Sequence, residues 1–80
     1  MSRMQRVKLG NKQITFGQFI AARRKEKGFS QYQLGKLVGV TDKAVSKWET
    51  DESYPRIEHC IRLAKHLEVS MDDLLTKKRI

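Results

Sequence analysis

Residues 42–50, within the stretch TDKAVSKWET, carry Asp42, Lys43, Ser46, Lys47 and Thr50 at helical spacing. At about 100° per residue these side chains share the face opposite Val45 and Trp48. A helix of this width fits the major groove of duplex DNA. There Lys can donate to guanine O6 and N7, Asp can accept from cytosine N4, and Ser can do either. A solvated helix face has a similar composition, so these residues alone leave both readings open. Other constellations do less. His59 and His66 stand seven residues apart, about 10.5 Å along a helix axis, too far to share one metal unaided. Cys60 falls in an apolar stripe with Ile57, Ile61 and Ala64 and reads as a small buried residue. There is no Gly-rich phosphate loop and no nucleophile–base arrangement. A catalytic role therefore has no support, and no cofactor or metal is expected.

The elements that must position the 42–50 face announce themselves by their starts. Four times an apolar residue precedes a Ser or Thr and another apolar residue follows that hydroxyl by four positions. The sets are Ile14-Thr15…Phe19, Phe29-Ser30…Leu34, Val40-Thr41…Val45 and Val69-Ser70…Leu74. This is the hydrophobic staple around an N-cap hydroxyl, and Gln18 and Gln33 complete capping boxes in two of the four. Gly28 and Gly39 suit helix ends, and Pro55 suits the first turn of a later helix. The pattern predicts helices at 16–27, 31–38, 42–49, 56–67 and 71–76, an all-α domain of five helices.

Between the second and third helices lies a three-residue connection, Gly39-Val40-Thr41. Gly39 can adopt positive φ cheaply, Val40 returns to the core and Thr41 caps the third helix. The second helix is expected to bury Leu34, Leu37 and Val38, the third Val45 and Trp48, with Ala44 beside Trp48. Gly35 costs helix propensity. It is read as the point of closest helix approach. Residues 1–14 differ from the rest. RVKLGNKQITF alternates around Gly10-Asn11, which predicts either a short hairpin pairing Val7 with Ile14 or a basic arm.

The chain has 80 residues, enough for one domain with a modest core. Its 17 Lys and Arg against 9 Asp and Glu give a net charge of +8, which suits nucleic acid, an anionic membrane surface or an acidic partner. One cysteine excludes an internal disulfide. No segment approaches the roughly 20 apolar residues of a membrane span, and the N-terminus has no secretory pattern. A cytoplasmic, nucleoid-associated protein is expected.

One string covers most of the chain: Arg24, Gly28-Phe29-Ser30-Gln31, Leu34, Leu37, Gly39-Val40-Thr41, Val45-Ser46, Trp48-Glu49, Ser53-Tyr54-Pro55, Ile57, Ile61, Leu63-Ala64, Leu67, Val69-Ser70, Asp72 and Leu74-Leu75. It resembles the lambda-repressor-like helix-turn-helix family, also called the Cro/repressor or xenobiotic-response-element type, over about residues 16–76. The resemblance implies a prokaryotic, sequence-specific DNA-binding transcriptional regulator, a repressor in the first instance, acting as a homodimer on an operator. It implies base reading by Asp42, Lys43, Ser46 and Lys47, and phosphate contacts by Arg23, Arg24, Ser30, Gln31, Lys36 and Thr41. It also implies an ion pair between Arg24 and Glu49. An antitoxin that also binds a toxin, and a protein-interaction module on the same fold, are the alternative readings. The sequence departs from the family at Asp51 and Glu52, where the family usually has a glycine followed by a base. Two carboxylates there would repel phosphate. The implied organisation is an arm or hairpin at 1–14, the DNA-binding domain at 15–76 and a basic tail at 77–80.

Overall fold

The computed structural model describes residues 14–78. The hairpin or arm expected for 1–14 and the end of the 77–80 tail lie outside that range. Five helices follow in order: α1 (Phe16–Glu26), α2 (Gln31–Val38), α3 (Asp42–Glu49), α4 (Ile57–Leu67) and α5 (Met71–Lys78).

The starts are built as the staples predict. Thr15 Oγ1 accepts the Gln18 amide at 3.1 Å while Gln18 Oε1 accepts the Thr15 amide at 3.0 Å. Ser30 and Gln33 make the same reciprocal pair at 3.0 and 2.8 Å. Thr41 Oγ1 accepts the Ala44 amide, and Ser70 Oγ the Asp73 amide. Each hydroxyl satisfies an amide that has no intrahelical partner. The staple residues Phe19, Phe29, Val40 and Val69 pack against a core of Phe16, Ile20, Leu34, Val38, Val45, Trp48, Cys60, Leu63, Ala64, Leu67 and Leu74. Only α4 begins without a side-chain cap: Arg56 is its N-cap, and Pro55 lies buried one residue earlier rather than in the first turn.

The α2–α3 turn is tight because of two glycines. Gly39 has φ +95°, and the amides of Gly39 and Val40 both donate to Gly35 O, at 2.7 and 2.8 Å. A Cβ on Gly35 would stand 2.7 Å from Val40 O. The turn backbone thus occupies the space a side chain would need. Arg62 of α4 donates to Val38 O at 3.1 Å, placing a cation on the C-terminal end of α2, where the helix dipole favours it.

Three apolar positions differ from expectation. Leu37 is 40% exposed, Ile57 56% and Ile61 55%. In α2 the buried face runs through Leu34 and Val38, so Leu37 is rotated about 60° off Leu34 and 100° off Val38. In α4 the buried face is Cys60, Leu63, Ala64 and Leu67. Ile57 and Ile61 lie together on its flank instead of within it. At the far end of α4, Glu68 takes a left-handed conformation, φ 58°, and pairs with Lys27 at 2.8 Å. The Lys27 hydrogen bond and charge hold the Glu68 carboxyl below its ordinary pKa.

Gly35→Ala should lower stability by about 1–2 kcal/mol, because a clash with backbone outweighs the gain of up to ~1 kcal/mol in helix propensity. Urea unfolding measures it, and a stabilised variant would show that the turn can move aside.

Candidate nucleic-acid interface

α3 is an eight-residue helix. Val45 and Trp48 are buried on its inner face, and Asp42, Lys43 and Lys47 are exposed on the outer one. Ser46 is half-buried at the border. Thr50 Oγ1 lies 2.7 Å from Glu52 Oε2 and 3.1 Å from Ser46 O, with its single proton shared between such acceptors, so its side chain is turned to the helix end. Asp42 sits in the first turn of α3, where the positive end of the helix favours a carboxylate.

The C-terminal end of α3 is held by a polar junction of three helices. Arg24 Nε donates to Glu49 Oε2 at 2.6 Å and Nη2 to Glu49 Oε1 at 3.1 Å, a two-pronged pair whose side chains are 11% and 8% exposed. The remaining prong, Nη1, donates to Phe29 O at 2.8 Å. Gln31 Nε2, from the start of α2, donates to the same Glu49 Oε1 at 2.9 Å. Arg24 therefore already spends three of its five N–H groups inside the protein. Gln31 uses one of its two amide hydrogens and retains the other.

The other residues named from the sequence are distributed as follows. Ser30 and Thr41 are exposed N-caps whose hydroxyl oxygens accept backbone amides, leaving each O–H as a donor. Lys36 is exposed on α2, with Nζ 5.7 Å from the Tyr32 ring centre. The structure brings Gln31 and Lys36 of α2 and Thr41, Asp42, Lys43 and Lys47 of α3 onto the two helices joined by the tight turn. Arg23 is set apart. Its Nη2 donates to Leu67 O at 2.8 Å and its Nη1 pairs with Glu26, which commits it to the end of α4.

One contact beside the junction, between Asp51 and Gly17, has no signal at short range in the sequence. Asp51, with φ 63°, accepts the Gly17 amide on Oδ1 at 2.9 Å. One oxygen of its carboxylate is therefore bonded within the protein, while the residue itself stays exposed. Gly17 lies in the first turn of α1 and was open to the same inference as Gly35, that a helical glycine marks a close approach.

A helix-turn-helix family model matches residues 20–74, and the chain belongs to this family, in its Cro/repressor form. Repressor protein C2 of Salmonella phage P22 is 46% identical over 59 residues, 74% of this chain and 27% of that protein. The HTH-type transcriptional activator BcrR of Enterococcus faecalis is 31% identical over 67 residues, 84% of this chain and 33% of that protein. A crystal structure of the P22 c2 repressor in complex with a synthetic operator matches with TM-score 0.76 and 42% identity, covering 80% of this chain and 97% of that one. The chain spans about a quarter to a third of the length of the curated relatives it matches.

Arg24→Ala should cost about 3 kcal/mol, since it strands a buried carboxylate with one amide donor. Arg24→Ala/Glu49→Ala should cost less than Arg24→Ala alone. Urea unfolding of both variants checks the order; a double variant worse than the single one would count against stranding as the cause.

Proposed function

We propose that this chain is the DNA-binding part of a prokaryotic transcriptional regulator, a repressor, with α3 in the major groove of its operator. The observation that carries the reading is the exposed face of Asp42, Lys43 and Lys47 on a helix set by a tight turn, in a domain similar to one solved on operator DNA. Asp42, Lys43, Ser46 and Lys47 are assigned to base edges. The amides of Gln31 and Tyr32 belong to the first turn of α2, where no intrahelical partner exists, and are assigned with the spare Gln31 amide hydrogen, Ser30, Thr41 and Lys36 to phosphate. Repression is preferred to activation because identity is higher to the P22 repressor than to BcrR.

A single α3 spans only a few base pairs, so two copies are needed for useful specificity. We assign a homodimer on a pseudo-palindrome with half-sites about 34 Å apart. The exposed pair Ile57 and Ile61 and the exposed Leu75 give apolar surface for self-association. The role is one of binding, carried out on nucleoid DNA in the cytoplasm. No described helix is long and apolar enough to cross a membrane.

Selection of bound sites from random duplex DNA at two salt concentrations tests the reading. A pseudo-palindromic motif is expected, with affinity falling steeply as salt rises. Lys47→Ala should relax preference at one base position by about 1–3 kcal/mol. Gln31→Ala should weaken binding to all sequences alike. Salt-sensitive retention with no motif would refute base reading by α3.

A further inference from the structure

We propose that Asp51 and Gly17 form a second clamp that positions α3, distinct from the Arg24–Glu49 pair. The proposal rests on α3 as the reading helix. The end of α3 is a Schellman motif: the Asp51 amide donates to Trp48 O at 3.1 Å and the Glu52 amide to Lys47 O at 2.9 Å. Asp51 holds its left-handed position, where glycine is unstrained and an L side chain is not. Its side chain contributes something a glycine cannot. Oδ1 accepts the partly buried amide of Gly17 in the first turn of α1, an amide with no intrahelical partner. Gly17 in turn permits the approach. A Cβ there would lie 2.5 Å from both Trp48 O and Glu49 O, so the carbonyl end of α3 rests directly on the amide end of α1. Opposite dipole ends meet.

Gly17 and Arg24 are seven residues apart on α1, about two turns or 10.5 Å. One attachment would be a pivot free in every direction; a second leaves only rotation about the line joining the two, which the buried Val45 and Trp48 oppose. The lever is short. α3 is about 12 Å long, so a shift of ~1 Å at its C-terminal end tilts it by about 5°, enough to displace side chains that must meet base edges. Asp51 is thus a positioning residue for Asp42, Lys43, Ser46 and Lys47.

The test compares Asp51→Gly and Asp51→Asn with the unaltered chain on the duplex that the chain itself selects, below the melting temperature of all three. Asp51→Gly removes backbone strain together with the clamp. It should bind about tenfold more weakly with a blurred base preference, roughly the loss of one good base contact, and an unchanged salt slope. Asp51→Asn keeps an acceptor and should stay within about twofold of the unaltered chain. Tighter binding by both variants would mean that the carboxylate merely repels phosphate, and would overturn the clamp. So would normal affinity and preference in a less stable Asp51→Gly. Amide resonances of residues 42–47 should shift in Asp51→Gly and return in Asp51→Asn without any DNA present; unshifted resonances refute the clamp. A chain that selects no motif while showing those shifts would instead refute base reading and leave the clamp supported.

Discussion

Glu49 is a buried carboxylate at the end of α3, and the arrangement of the first three helices depends on satisfying it. An ionised group with so little access to water needs both a counter-charge and hydrogen-bond donors. α1 supplies Arg24 and α2 supplies Gln31, converging on its two oxygens. Arg24 also holds Phe29 O in the connection between those helices, so the loop cannot move without disturbing the pair. The apolar core does a different job. Burial of Val45 and Trp48 drives α3 inward, but the hydrophobic effect has no preferred direction. Hydrogen bonds do. In a core this small, the depth of α3 comes from apolar packing and its orientation from the polar junction.

The same distinction explains what could be read in the sequence. Helix starts depend on residues within four positions of one another, and all four hydroxyl staples lie where the structure caps a helix. Gly35 and Gly39 were legible because a three-residue turn leaves few ways to join two helices. The end of α2 was harder. Leu37 looks like a core residue by type, yet the helix is rotated so that Leu34 and Val38 take the buried face. Ile57 and Ile61 fall on the flank for a similar reason: four inward positions already fill one face of α4. Arg62 on Val38 O and Asp51 on the Gly17 amide join residues 24 and 34 positions apart. Nothing in the local pattern of either partner signals such a contact. Among the candidate site residues, the exposed face of α3 followed from periodicity alone. The engagement of Arg23 with the end of α4 did not.

Net charge also means something narrower once the cations are located. Arg23 is bonded to the last carbonyl of α4, Arg62 to the last carbonyl of α2 and Lys27 to Glu68 just past α4. Arg24 is matched by Glu49. These groups stabilise helix ends and a buried acid, and they are poor candidates for counterion release. The Lys residues on the α2–α3 surface, Lys36, Lys43 and Lys47, are exposed and have no carboxylate pair among the described residues. The charge of +8 already subtracts carboxylates such as Glu49 and Glu68; among the described residues, Lys36, Lys43 and Lys47 are the exposed cations on the two helices around the tight turn.

The helix N-termini are divided between internal and external use in a matching way. Every helix presents a positive end with unpartnered amides. At α1 the chain fills this site itself, with the Asp51 carboxylate and the carbonyl end of α3. At α3 it places Asp42 in the first turn, which weakens that end as an anion site. In the proposed docking this is useful. A reading helix whose tip attracted anions would be drawn toward the phosphate backbone instead of the base edges, whereas Asp42 offsets that pull and can itself accept from a cytosine amine. The first turn of α2 lacks an acidic residue. Its Ser30–Gln33 box satisfies one helical amide and leaves those of Gln31 and Tyr32 facing outward from the helix end. Of the three N-termini around the turn, α2 is the one electrostatically suited to hold a phosphate, and holding it there is what would aim α3 into the adjoining groove.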